Sequence, residues 1–153
     1  MMTKFKTWYM DEATFNLAGV IETAQERLAD VDFDTLVGTG FSGSIVIPAL
    51  ALAMGKKFVL IRKETDDSHH GKGRLVGQLG ARWIFVDDFV SSGVTRKRVI
   101  EKISAAHDEA KRWETVTPTE MVGQYMYQAY RDDNYDAKGR FEDFRSDWAE
   151  LGW

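Results

Sequence analysis

The chain of 153 residues contains no cysteine. That excludes a disulfide framework, a thiolate nucleophile and any cysteine-ligated metal. It has only two prolines. Pro48 is expected in the first turn of a helix, where a missing N–H costs least, and Pro118 closes a helix-breaking stretch that begins at Thr115. No apolar run approaches the length of a membrane span. Met1 to Lys6 is not followed by an apolar segment of the kind a signal peptide needs, so a cytoplasmic protein is the expectation. Excess basic charge is also missing: 20 Lys and Arg stand against 24 Asp and Glu, a net charge of −4. That balance argues against a general binder of nucleic acid or anionic membrane. There is no internal repeat, no low-complexity tract and no interdomain linker.

What is present suits one soluble domain over residues 1–153, with a core of about 31–130 and smaller elements from 1–30 and 131–153. Hydrophobic residues make up 44% and charged ones 29%, enough to bury a substantial core. Between Asp11 and Asp30, Phe15, Leu17, Ala18, Ile21, Ala24 and Leu28 fall on one helical face. Thr35-Leu36-Val37 reads as a short strand ending in the glycine-rich turn Gly38–Gly43, and the almost wholly apolar run Ser44–Met54 reads as a buried helix stopped by Gly55. Lys57–Arg62 is a second buried strand. Lys63–Gly73 is a long polar loop, and Arg74–Gly77 is a short strand on its return side. Trp83–Val86 is four apolar residues, suited to a strand buried on both faces. Val94 to about Trp113 is an amphipathic helix with Val99, Ile103 and Ala106 inward. The aromatic alternation of Glu120–Tyr130 favours a strand over a helix. Phe141, Phe144, Trp148 and Trp153 suggest a short C-terminal helix. Alternating strands and helices of this kind build an α/β domain with a mainly parallel central sheet flanked by helices.

Three loops then fall at the carboxyl ends of strands, where open α/β sheets bind ligands. Gly38-Thr39-Gly40-Phe41-Ser42-Gly43 lets backbone N–H groups approach phosphate oxygens ahead of a helix start. It is not the triphosphatase loop, which would need Gly-Lys-Ser/Thr. The long loop carries Lys63, His69, His70 and Lys72, cations able to neutralise a pyrophosphate. Its adjacent histidines lack an obvious third metal ligand. The third stretch, Asp87-Asp88-Phe89-Val90-Ser91-Ser92-Gly93-Val94-Thr95, sets two carboxylates before a hydroxyl-glycine turn and a helix start. Ser91, Ser92, Thr95 and the N–H groups near Gly93 suit a phosphate monoester. Asp87 and Asp88 would repel that phosphate, so they suit sugar hydroxyls or a Mg²⁺ carried by the same ligand.

Together these residues resemble the type I phosphoribosyltransferase family across roughly Thr35 to Tyr130. Val86–Thr95 resembles the family's signature for 5-phosphoribosyl-1-pyrophosphate (PRPP), Gly38-Thr39-Gly40 its pyrophosphate loop, and Met121-Val122-Gly123 its next core strand. Arg62-Lys63-Glu64 with His70-Gly71-Lys72-Gly73 resembles the flexible catalytic loop of the orotate enzymes. The resemblance implies a Mg-dependent transferase joining a nucleobase to PRPP with release of pyrophosphate, working as a homodimer, with a small hood over the site formed by the two termini. It implies catalytic roles for His70, Lys72, Asp87 and Asp88. It implies PRPP binding by Thr39, Gly40, Arg62, Lys63, Asp87, Asp88, Ser91, Ser92, Gly93, Val94 and Thr95. Mg²⁺ would lie at Asp87 and Asp88, held mostly through substrate and water. Thr65-Asp66-Asp67 stands where the orotate enzymes carry a further basic residue. That keeps open a second reading, a regulator that binds PRPP or a nucleotide without turnover.

Overall fold

The computed structural model describes residues 2–5, 10–62, 75–88, 93–128 and 139–144. The Thr35 run becomes strand β1, Thr35–Thr39, preceded by two helices, α1 at Asp11–Phe15 and α2 at Leu17–Arg27. Helix α3, Gly40–Met54, leads to β2, Lys57–Ile61, and the chain returns as β3, Leu75–Gly77. The acid-pair stretch begins as β4, Arg82–Asp87. It is followed by α4, Val94–Ala110, then β5, Glu120–Met126, and β6, Arg140–Asp143. The six strands form one sheet in the order β3-β2-β1-β4-β5-β6. The four central strands pair in parallel, and β3 and β6 pair antiparallel at the two edges.

Alternation along each strand divides the core in two. Leu36, Ile84 and Val86 point to one face, where they meet Val20, Ala24 and Leu28 of α2 and its flank and Val46, Ile47 and Leu50 of α3. Val37, Trp83 and Phe85 point to the other face, against Val99 and Ile103 of α4. Period-two side chains on strands buried from both sides give this division, and burial of those apolar faces is the main stabilising term. Between β4 and β5 the register slips after Trp83: Trp83 pairs with Met121 and Ile84 with Gly123. Val122 is the extra residue of a bulge.

Four local differences from the sequence expectation have physical causes. The helix expected over 11–30 is broken at Asn16, whose backbone (φ −134°, ψ 33°) is not helical. The glycine-rich turn after β1 is nearly absent, because Gly40 at φ 83° makes the turn alone and the helix begins at once. Pro48 therefore lies in the middle of α3 rather than in its first turn. The Ser44 carbonyl, which cannot receive a bond from Pro48, belongs to an exposed residue open to water. Where the expected C-terminal helix would begin, residues 140–143 form an edge strand. Phe141 packs with the α2–α3 core and Phe144 with the α4 core. A three-residue spacing that reads as one helical face puts side chains on opposite faces of an extended chain. Positions 145–153 lie outside the described residues.

The amino edge of the sheet is fixed by Asp34. Its Oδ1 accepts from the Thr35 hydroxyl at 2.6 Å, and its Oδ2 from the backbone N–H groups of Ala81 at 2.9 Å and Arg82 at 3.1 Å. Burial would raise the Asp34 pKa, but these bonds and the nearby Lys57 charge outweigh it and hold the carboxyl below its usual value. A carboxylate with a depressed folded pKa stabilises the fold above its unfolded value of about 4, and that contribution is lost as pH falls through the depressed value. Asp34→Asn is therefore expected to cost about 1–3 kcal/mol at pH 7 and much less at pH 2. Urea unfolding at the two pH values measures the difference, and an equal loss at both would contradict this role.

Candidate functional site

In the observed strand order the chain leaves β1 toward β2 on one side and returns to β4 on the other. The carboxyl ends of β1 and β4 thus flank the point where the winding reverses, and open α/β sheets bind ligands in the crevice there. Thr39 and Gly40 stand at one lip, and Asp87 and Asp88 stand at the other. No cation-binding or ligand geometry is needed to bring them together, since the parallel register of β1 and β4 does so.

Each lip is held by backbone. The Thr39 hydroxyl donates to the Ile61 carbonyl at 2.6 Å, fastening the end of β1 to the end of β2. Gly38 lies where a side chain would not fit: a Cβ would sit 2.7 Å from the Val86 carbonyl oxygen and against the end of Ile47. On the other lip, the Tyr127 N–H donates to the Asp87 carbonyl at 3.2 Å and the Gln128 N–H to the Asp88 carbonyl at 3.0 Å. The β4–β5 ladder thereby runs past the strand ends and carries the acid pair on a rigid rail. Asp87 Oδ1 also accepts from the Asp88 N–H at 2.9 Å. Both acids are half-buried.

Beneath them lies a residue that the sequence did not single out. Tyr127 is buried, with its hydroxyl in no regular hydrogen bond. Burial pushes its pKa well above the ordinary tyrosine value, the neighbouring Ser42 hydroxyl opposes the shift, and the Asp88 and Asp87 charges add to it. The phenol stays protonated at neutral pH. An aromatic residue one place past the end of β5 was the available signal, and it reads equally well as packing.

Beyond the acids, α4 opens at Gly93, which takes the left-handed φ of 74° and provides no side-chain cap. The helix has no acidic residue in its first turn, and Arg96, Lys97 and Arg98 follow at once. With the partial positive charge of a helix amino end, this is a favourable place for an anion. Val94 and Thr95 are exposed there. Arg96 ties the helix start to the sheet: it donates to Gln124 Oε1 at 2.8 Å, Gln124 Nε2 donates to Glu142 Oε2 at 2.7 Å, and the Phe144 ring lies 5.0 Å from the guanidinium. Gln124, a buried amide inside an apolar strand, was a legible oddity whose partners only the fold supplies.

At the ends of β1 and β2 a cavity of about 360 Å³ opens beside Thr39, Gly40, Ser44, Ile61 and Arg62. Arg62 is exposed, and its carbonyl accepts from Lys102 of α4 at 3.2 Å. Of the residues anticipated from sequence, Thr39, Gly40, Arg62, Asp87, Asp88, Gly93, Val94 and Thr95 lie along this one edge. Lys63, His70, Lys72, Ser91 and Ser92 lie outside the described residues. Among the described residues there is no group of three or more His, Asp or Glu side chains able to cage a metal. Two adjacent carboxylates without a cage suit a Mg²⁺ that keeps waters and substrate oxygens as most of its ligands.

No protein-family model matches the chain. It is 35% identical to an orotate phosphoribosyltransferase of Halorhodospira halophila over 85 residues, covering 50% of this chain and 39% of that one. It is 32% identical to an adenine phosphoribosyltransferase of Halothermothrix orenii over 114 residues, covering 65% and 66%. The chain spans half or less of the length of the first orotate relatives it matches. In fold it is similar to the UMP synthase of Leishmania donovani, with a TM-score of 0.57 at 19% identity, covering 81% of this chain and 27% of that one. It is likewise similar to the orotate phosphoribosyltransferase of Mycobacterium tuberculosis in complex with PRPP, with a TM-score of 0.51 at 18% identity, covering 71% and 57%. At such identities the two structural likenesses speak to the fold alone.

Proposed function

The chain belongs with the type I phosphoribosyltransferases in fold and in sequence kinship, and from that premise we propose that it transfers the phosphoribosyl group of PRPP to a nucleobase. One observation carries the proposal most: the Asp87–Asp88 pair, railed by backbone bonds at the end of β4, lies between the Thr39–Gly40 turn and the amino end of α4. That row offers acceptors for ribose hydroxyls in the middle and sites for phosphate groups on either side. The 5′-phosphate goes to Ser91, Ser92, Gly93, Val94 and Thr95. The pyrophosphate goes to Thr39, Gly40, Arg62 and Lys63.

In the reaction a base nitrogen forms a bond to ribose C1 as the bond from C1 to the pyrophosphate oxygen breaks. Pyrophosphate leaves with the electron pair, and the base nitrogen gives its proton to solvent. Positive charge develops on the sugar, and Asp87 and Asp88 fix the ribose and stabilise that charge. His70 and Lys72 act on the leaving pyrophosphate. A Mg²⁺ bound near Asp87 and Asp88 would take up negative charge on the pyrophosphate and ribose oxygens. The core of about 31–130 carries this site, and the two termini supply the hood over the base. The working form is a homodimer.

The relatives include both orotate and adenine enzymes, so the acceptor base is sought by trial. Orotate, adenine, uracil, guanine, hypoxanthine and xanthine are each incubated with PRPP and Mg²⁺. The expected result is equimolar pyrophosphate and nucleoside monophosphate with one base, followed by mass spectrometry. The polar Thr65-Asp66-Asp67 segment favours a second reading, a PRPP-binding regulator. PRPP that binds but yields pyrophosphate with none of the bases would select it.

A further inference from the structure

Gln124 meets Arg96 of α4 and so faces the α4 side of the sheet, where the packed side chains are otherwise apolar. It is 4% exposed. An amide in such a place costs stability unless both its ends are paired. Both are: Oε1 accepts from Arg96, and Nε2 donates to Glu142, its register partner on β6. A guanidinium only donates and a carboxylate only accepts, so these two neighbours allow the amide a single orientation. The Arg96 guanidinium in turn has three neighbours that fix it. Gln124 takes one N–H, the Phe144 ring lies 5.0 Å away, and a Cβ on Gly93 would sit 3.7 Å from Arg96 Nη2. Arg96 is also the third residue of α4, a position where a cation opposes the helix dipole. The helix begins with no acidic residue and no side-chain cap. Its first turn has little local reason to stay wound, and the Arg96–Gln124–Glu142 chain tethers it to the sheet instead.

We propose that Arg96, aimed by Gln124 and Glu142, is a positioning residue for the sugar-phosphate end of PRPP: it fixes the amino end of α4 on the sheet before the ligand arrives. The inference rests on the transferase reading above and adds to it residues of β5 and β6. Backbone N–H groups at a helix start hold an anion well only when they converge on one place. With the helix start tethered, that order exists in the free protein, and ligand binding does not have to create it. The pyrophosphate end of the site, at Thr39, Gly40 and Arg62, lies on other elements and gains nothing from this tether.

The test is calorimetry of PRPP and of pyrophosphate, each titrated with Mg²⁺ into the full chain as wild type, Gln124→Leu and Arg96→Lys. Leucine fills the place of the amide and leaves the guanidinium unheld. Lysine keeps the charge but lacks the planar fork that meets Gln124 and Phe144 together. Both variants retain a cation at position 96, so a bare charge effect moves neither. Each is expected to bind PRPP about threefold to tenfold more weakly and to bind pyrophosphate as the wild type does. Gln124→Leu is expected to unfold at an unchanged or higher temperature, because Arg96 and Glu142 are only half-buried and turn to water once released. A purely structural role gives the reverse, a lower Tm with PRPP affinity intact. Wild-type PRPP affinity in either variant overturns the proposal, and so does an equal loss for both ligands, which marks general damage to the edge. Either variant alone decides the point if the other does not fold. A wild type that binds no PRPP is a different failure, overturning the transferase reading and this proposal with it.

Discussion

Asp88→Asn is expected to weaken PRPP binding about fivefold to tenfold, and Asp87→Asn to do the same, while the free protein unfolds at an unchanged or slightly higher temperature. Asparagine keeps the shape of the side chain and one acceptor oxygen, so the bond from the Asp88 N–H to position 87 survives. What is lost is charge. A hydrogen bond to an ionised partner is worth about 1.5–3 kcal/mol against about 0.5–1.5 for a neutral one, and the difference of about 1–1.5 kcal/mol corresponds to roughly fivefold to tenfold in affinity. The opposite sign for stability follows from the position. Two adjacent carboxylates repel. Removing one charge relieves the fold and impairs the site, as expected of residues retained for function. A parallel fall in stability and binding would instead make the acids structural.

Gly38→Ala is expected to show the largest loss of stability among single-methyl additions to the described glycines outside left-handed positions of the β1–α3 unit. A Cβ there meets the Val86 carbonyl oxygen at 2.7 Å, as well as the end of the fully buried Ile47. The carbonyl belongs to the neighbouring strand and cannot rotate away, so β1 and β4 must separate. Overpacking of this kind costs about 1–3 kcal/mol, occasionally more. For a chain of this size each kcal/mol lowers Tm by roughly 2–4 °C. Because Val86 immediately precedes Asp87, the same displacement moves the acid pair, and PRPP affinity should fall with Tm. Gly43→Ala is the matched control. Its Cβ would be 3.6 Å from Ile47 in an ordinary contact, inside a helix, where alanine is favoured over glycine by about 1 kcal/mol. It should be neutral or stabilising. Thermal unfolding of both variants decides the matter, and equal behaviour would contradict the packing described at Gly38.

The contrast between these glycines also shows what the sequence could and could not tell. The apolar runs at Leu36, Phe58–Ile61 and Trp83–Val86 identified the central strands, because strands buried on both faces leave little else to read. Two carboxylates at the end of one such run, followed by a glycine and a helix, pointed to the candidate site, and the fold places them at the carboxyl end of β4. The tight packing at Gly38 was not legible, since it depends on which strand lies beside β1. Nor was the early start of α3, because one glycine at positive φ did the work expected of a longer turn. Phe141 and Phe144 suggested a helix by their spacing, and only the antiparallel pairing with β5 shows Phe141 on an edge strand with Phe144 just past its end. The Arg96–Gln124–Glu142 chain joins residues 46 positions apart at its ends, beyond the reach of any local pattern.

Titration calorimetry of PRPP into the full chain with Mg²⁺ tests the central claim, that the carboxyl edge shared by β1 and β4 is a PRPP site. One saturable site per chain is predicted for the wild type, and loss of that site is predicted when Asp87 and Asp88 are both replaced by asparagine. Absence of saturable binding up to millimolar PRPP, or binding that the double replacement leaves intact, would contradict it.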